Sequence, residues 1–264
     1  MSDTITIPCA HCGNAVTLER PNTGMVLMDK LLMRLTEGVV HDQCYRDVSA
    51  ARQLKEAAER LQQRANKWEL LCPAFFQSSE EWLEEPSSAR KVNKAAIEKA
   101  LEWQNGQKGI LLHGRRTGTG KTTAAWLILK RQHLEGRMIV AMSHTEFTRT
   151  ATLLMKESDK QSVAWMKMLS KCDILFIDDL GKSKFQTFDG TGKAAEEFLF
   201  DLVNDRMAGM KPCVFTCNKD GETLKASMSE DRGEPFLRRL RESCVSVNFD
   251  KTNFEPKQPK QEQL

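Results

Sequence analysis

Between residues 109 and 129 the chain reads Gly109-Ile110-Leu111-Leu112, then His113-Gly114-Arg115-Arg116-Thr117-Gly118-Thr119-Gly120-Lys121-Thr122-Thr123, then Ala124-Ala125-Trp126-Leu127-Ile128-Leu129. A short apolar strand, a glycine-rich turn ending in Gly-Lys-Thr and the start of an apolar helix, in that order, form the context of a P-loop. Glycines let successive backbone N–H groups curl around phosphate oxygens, and the helix N-terminus adds partial positive charge. Gly118, Thr119, Gly120, Lys121, Thr122 and Thr123 are therefore the candidate cradle of a triphosphate. Lys121 would reach the β- and γ-phosphates, and the Thr122 hydroxyl would ligate Mg²⁺. The spacing is irregular. A glycine usually stands four residues before Gly-Lys-Ser/Thr, but here Arg115 holds that place and Gly114 lies one residue earlier. Either the loop is one residue longer, or Arg115 tolerates the backbone geometry.

From residue 109 onward strands and helices alternate. Further strands are predicted at 138–141, 173–177, 212–216 and 244–249. Helices are predicted at 121–135, 144–170 with a break near Ser158-Asp159, 193–209 and 234–242. Near-continuous apolar strands separated by helices imply an α/β fold, a parallel sheet covered on both faces. Such a sheet delivers the C-terminal ends of its strands to the edge where ligands bind. Ile174-Leu175-Phe176-Ile177-Asp178-Asp179 ends there in two carboxylates. Asp178 would hold Mg²⁺, through water or with Thr122. Asp179 would orient or deprotonate an attacking water. Val214-Phe215-Thr216-Cys217-Asn218 ends in the same way, and Asn218 would donate a hydrogen bond to the γ-phosphate or to the water. Pro235-Phe236-Leu237-Arg238-Arg239-Leu240-Arg241 precedes the last strand. An arginine there, Arg239 before Arg238, would stabilise transition-state charge on a neighbouring subunit's γ-phosphate.

The first 45 residues carry Cys9-Ala10-His11-Cys12 and, 28 residues further on, His41-Asp42-Gln43-Cys44. Cys9, Cys12, His41 and Cys44 would supply four tetrahedral ligands to a structural Zn²⁺, with His11 as a competing ligand. So small a segment has little core of its own, and metal would supply its folding free energy. Residues 46–70 are predicted as one linking helix, with Ala51, Leu54, Ala58, Leu61, Ala65 and Trp68 at spacings of three and four. That seam must be buried, either on the chain's own ATPase domain or on a partner helix. Residues 71–250 form the predicted ATPase domain, and residues 251–264, rich in Pro, Gln and Lys, a flexible tail. The net charge of +3 is too near neutral to argue for nucleic acid by itself. No apolar run approaches the roughly 18 residues of a membrane helix. The N-terminus lacks the basic start and apolar stretch of a signal peptide. A cytoplasmic protein with no membrane partner is expected, its eight cysteines reduced, buried or metal-bound.

Taken together, Gly-Thr-Gly-Lys-Thr, Ile-Asp-Asp-Leu-Gly, Phe-Leu-Phe-Asp-Leu-Val-Asn-Asp-Arg, Phe-Thr-Cys-Asn and Leu-Arg-Arg-Leu resemble the DnaC/IstB-like branch of AAA+ ATPases. These are helicase loaders and transposition helpers, and the resemblance covers about residues 68–250. It implies an AAA+ P-loop NTPase with a five-stranded parallel sheet between helices. Lys121 and Thr122 match Walker A, Asp178 and Asp179 Walker B, Asn218 sensor 1 and Arg239 the arginine finger. The implied protein binds and hydrolyses ATP with Mg²⁺, self-associates through the nucleotide interface and loads a replicative helicase in DNA replication. Alternatives are a transposition helper on duplex DNA and a nucleotide-gated scaffold with little turnover. Single-stranded DNA would touch Lys156, Lys160, Lys167 and Lys171, with bases stacked on Trp165. The competing possibility is a solvated charged face with Trp165 in the core.

Overall fold

Five apolar runs of five residues each lie side by side, all pointing the same way. They appear in a computed structural model that describes residues 4–8, 15–19, 49–77, 93–104, 108–157, 159–182 and 191–250. The chain divides into two compact units, residues 1–71 with 134–136, and residues 72–133 with 137–264.

In the first unit, β1 (Thr4–Pro8) and β2 (Ala15–Glu19) form an antiparallel pair in which Thr4 faces Glu19 and Pro8 faces Ala15. Helix α1 (Ser49–Leu71) follows. Of its predicted seam, Leu61, Ala65 and Trp68 are buried and Ala58 is half-buried. Arg64 donates from Nη1 to the Leu134 carbonyl at 2.8 Å. Cys9, His11, Cys12, His41, Cys44 and the tail from residue 251 lie outside the described residues.

The second unit holds the sheet. After the short helices α2 (Ala74–Gln77) and α3 (Lys94–Leu101) come β3 (Gly109–His113), α4 (Lys121–Leu134) and β4 (Ile139–Ser143). Helices α5 (His144–Glu157) and α6 (Asp159–Lys171) lead to β5 (Ile174–Asp178). Then come α7 (Thr191–Ala208), β6 (Cys213–Cys217), α8 (Gly221–Lys225), α9 (Gly233–Ser243) and β7 (Cys244–Asn248). The strand order is β4-β5-β6-β3-β7, every pairing parallel. A five-stranded parallel sheet between helices is the α/β fold that the AAA+ resemblance implies.

Composition explains the order. β6 is buried at every residue and β5 at its first four, which fits their near-continuous apolar sequences; they sit inside the sheet. β4 is half-buried throughout and β7 exposes Val245 and Ser246, so these two close the edges. From β3 the chain crosses to the far edge at β4 and returns through β5 and β6. It then places β7 on the other side of β3. The loop leaving β3 therefore emerges where the winding reverses, the usual place for a ligand crevice.

The helical region predicted at 144–170 is interrupted between α5 and α6, and α8 is a turn of helix with no sequence periodicity to announce it. Trp165 stacks on Phe198, with ring centroids 5.2 Å apart, and lies 5.4 Å from Phe147. Of the two possibilities for Trp165, packing is what the described residues show: the half-buried ring lies against Phe198 and Phe147, while Lys160, Lys167 and Lys171 are exposed. Five cysteines, Cys72, Cys172, Cys213, Cys217 and Cys244, are free and buried. Among the described residues no helix is long and apolar enough to cross a membrane.

One buried cation ties the lower edge of this sheet together. Arg206, on α7, is 1% exposed. Its guanidinium donates to the carbonyls of Leu169 at 2.7 Å, Cys172 at 3.0 Å, Asp173 at 3.2 Å and Pro212 at 2.8 Å. These are the residues that end α6 and enter β5 and β6. Truncation would leave the Leu169 carbonyl with Cys172 Sγ and the Pro212 carbonyl with the Leu175 amide, but would take the guanidinium from the Cys172 and Asp173 carbonyls, each unsatisfied buried group costing about 1–3 kcal/mol. Arg206→Ala is expected to lower the unfolding free energy by at least about 3 kcal/mol, read by urea titration.

Candidate phosphate-binding site

The polar groups at the upper edge meet because parallel strands end on one side. β3 ends at His113, and the Gly114 amide donates to the Cys217 carbonyl at 3.1 Å, so the turn begins against the end of β6. Gly118 and Gly120 take φ of 73° and 96°, conformations that side chains disfavour. Nothing lies within 4 Å of where a Gly118 Cβ would be, so the loop faces open space. Lys121 begins α4 and is 5% exposed. Its Nζ donates to the Arg116 carbonyl at 2.6 Å and to Thr119 Oγ1 at 3.3 Å. Burial pushes the Lys121 pKa down, opposed by Asp250, Asp179, Cys217 and Asp178. The ammonium is folded onto its own loop, where a phosphate oxygen would replace the carbonyl.

The loop strand and the carboxylate strand are not neighbours; β6 runs between them. Thr122 Oγ1 donates to Asp178 Oδ1 at 3.0 Å across that gap. Thr216, in the intervening strand, donates to the same Asp178 oxygen and accepts from the Asp179 amide at 2.8 Å. Burial raises the Asp178 pKa, while hydrogen bonds from Thr216 and Thr122 lower it and the Asp179 charge raises it. A half-buried carboxylate oxygen beside a hydroxyl is a hard-oxygen pair suited to Mg²⁺ and its waters.

Asp179 has φ of 56°, one of two positive values at described non-glycine residues, the other being Met210. This turn out of β5 is sparsely populated for such residues and is concentrated at functional sites. It brings Asp179 Oδ1 to 2.7 Å from Asn218 Nδ2 and Asp179 Oδ2 to 2.8 Å from Lys182 Nζ. Lys121, Thr122, Asp178, Asp179 and Asn218 are thus brought to one edge. Arg239 is not among them: its Nε donates to Asn204 Oδ1 on α7 at 2.9 Å and its Nη1 to Glu242 Oε2 at 3.0 Å.

Thr216, Lys182, Asn93 and Asp250 escape a reading by motif. Thr216 has a signal, a lone hydroxyl in an otherwise apolar strand. Asn93 caps α3, accepting from the Ala96 amide at 3.1 Å, and its own amide donates to the Thr119 carbonyl at 3.0 Å. Nothing in the sequence links Asn93 to the loop 26 residues later.

No protein-family model and no curated protein matches the chain. Among solved structures it is similar to a structure of DnaI, at 19% identity and a TM-score of 0.48, covering 59% of this chain and 81% of that one. It is also similar to the DnaC helicase loader, at 18% identity and a TM-score of 0.46, covering 62% and 92%. AMPPCP-bound DnaA from Aquifex aeolicus is similar at 17% identity and a TM-score of 0.48, covering 63% and 49%, so about half the length of that protein is spanned.

His144, the first residue of α5, is fully buried. Burial, aided by Lys219 and opposed by Asp179, pushes its pKa from 6.5 down to about 4. Below pH 6.5 the unfolded chain takes up a proton that the folded one refuses. Stability is therefore fully present above that pH and lost as pH falls toward 4. Between pH 7 and pH 5 this group alone is expected to remove about 2 kcal/mol. Urea titrations at the two pH values should show a smaller loss for His144→Gln than for the natural sequence.

Proposed function

We propose that this chain is a DnaC/IstB-like AAA+ ATPase that binds ATP with Mg²⁺, hydrolyses it slowly and acts as a helicase loader in DNA replication. The observation that carries the ATPase role is the convergence of Thr122 on Asp178 and of Asn218 on Asp179 at the edge where the lysine loop begins a helix. The amides of Gly118 to Thr123 and the Lys121 ammonium hold the phosphates. Thr122 and Asp178 would hold Mg²⁺, which would supply positive charge to offset that of the phosphates. Asp179 takes the proton of the attacking water, and Asn218 orients that water or the γ-phosphate. Arg239 acts on the nucleotide of a neighbouring subunit; its bonds to Asn204 and Glu242 rather than to its own chain's site groups support this. Both oxygens of Asp179 are engaged, by Asn218 and Lys182, which favours slow turnover until a partner loosens the pair.

Lys121→Ala is expected to abolish ATP binding, read with a fluorescent nucleotide. Arg239→Ala should keep binding but lower the stimulated rate by about 10³, in line with other trans-acting arginines. Lys182→Met should raise the basal rate, because it frees one oxygen of Asp179. Equal turnover by the natural protein and Lys121→Ala would remove the enzyme from consideration. Co-purification with a replicative helicase in ATP tests the loader role; preference for duplex DNA and a transposase would point to the transposition helper instead.

We further propose a structural Zn²⁺ on Cys9, Cys12, His41 and Cys44. Pairing of Pro8 with Ala15 supports it, since the connection it closes contains both Cys9 and Cys12. One equivalent of zinc is expected on the purified protein, lost in Cys9→Ser with Cys12→Ser; a metal-free natural protein would refute the site.

A further inference from the structure

The glycine of the phosphate loop stands one residue too early, and the structure connects this to a carboxylate 135 residues away. The Arg115 amide donates to Asp250 Oδ2 at 2.7 Å, and the Arg116 amide donates to Asp250 Oδ1 at 3.1 Å. A Cβ on Gly114 would meet that carboxylate, 3.0 Å from Oδ1 and 3.1 Å from Cγ. A side chain at 114 would crowd the Asp250 carboxylate and require it to shift. Arg115 is not among the described residues with positive φ, so it needs no glycine.

We propose that Asp250 is a positioning residue for nucleotide binding, clamping the entry of the phosphate loop through the Arg115 and Arg116 amides, with Arg115 tying the clamped loop to the turn that carries Asn218. Backbone N–H bonds to an ionised carboxylate are roughly twice as strong as neutral ones. Burial works against ionisation of Asp250, but the two amides and the charge of Lys121 hold its pKa below the ordinary carboxylate value. The Arg115 guanidinium pairs with Asp220, which caps α8 by accepting from the Thr223 amide at 2.7 Å, two residues after Asn218. The strand end bearing Asp250 is itself fixed. The Phe249 amide donates to the His113 carbonyl at 2.7 Å, and Asn93 Nδ2 donates to the Phe249 carbonyl at 3.0 Å. Asn93 also holds the far side of the loop through Thr119, so the loop is braced at both ends before any phosphate arrives. The amides of residues 115 and 116 are spent on Asp250, leaving those from Gly118 to Thr123 for the ligand.

Resting on the ATP binding proposed above, the clamp is tested with Asp250→Ala, Asp250→Asn and Arg115→Ala in the full chain. The first readout is amide hydrogen exchange without nucleotide. Asp250→Ala should speed exchange at Arg115 and Arg116 while β5 and β6 stay protected, and Asp250→Asn should do so less. The second is MgATP affinity and turnover. Asp250→Ala should weaken binding about tenfold, the loss of roughly one charge-assisted bond. Its KM should rise while kcat at saturation holds; Arg115→Ala, which keeps its amide, should weaken binding less than Asp250→Ala. Unchanged exchange at Arg115 and Arg116 overturns the clamp, whatever nucleotide does. Faster exchange with unchanged affinity overturns its role in positioning. A natural protein that binds no ATP refutes the nucleotide role and with it the positioning role, while exchange still decides the clamp. If Asp250→Ala does not fold, the exchange and affinity of Asp250→Asn decide both.

Discussion

One carboxylate oxygen of Asp178 receives hydroxyls from two other segments of the upper edge, Thr122 at the start of α4 and Thr216 within β6. Most of the site geometry follows from that sharing. The P-loop strand and the strand of twin aspartates are separated by β6, so they can cooperate only through a group on that strand or across it. Thr216 does the first and Thr122 the second. The same Thr216 oxygen accepts the Asp179 amide, which fixes the backbone just where it enters the left-handed turn. That turn aims the Asp179 carboxylate at Asn218.

The two edges of the sheet use opposite charges for similar work. At the lower edge Arg206, a buried cation, donates to carbonyls where the chain enters β5 and β6. At the upper edge Asp250, an anion, gathers the amides that open the phosphate loop. Each ion satisfies backbone groups that the strand ladder cannot reach. The lower ion is sealed from solvent and serves the fold, whereas the upper group sits at the edge that carries the glycine-rich turn. Unpaired ions in a core are costly, and multiple backbone hydrogen bonds are what make Arg206 tolerable there.

How much of this was legible in the chain depended on how far apart the cooperating residues lie. The P-loop could be read because strand, turn and helix are contiguous, and the strand ends at Asp178 and Asn218 because apolar runs followed by polar residues mark where a parallel sheet delivers its side chains. The irregular spacing at Arg115 was visible, but the Asp250 carboxylate that receives the Arg115 amide lies 135 residues further along the chain. Trp165 beside lysines was compatible with a base platform as well as with the core, and its stacking on Phe198, from a helix later in the chain, decided the matter. Arg206 ends the Phe-Leu-Phe-Asp-Leu-Val-Asn-Asp-Arg run, and only the approach of β5 and β6 shows why a guanidinium is buried there.

The sequence by itself determined the alternation of strands and helices, the glycine-rich turn between β3 and α4 and the acidic end of β5, because these follow from periodicity and backbone freedom over a few consecutive residues. Tertiary structure decided that β6 lies between β3 and β5, that Thr216 bridges their ends, and that Asp250 reaches the loop. Those are outcomes of strand order, and strand order is set by the packing of whole faces, which no local run of residues encodes.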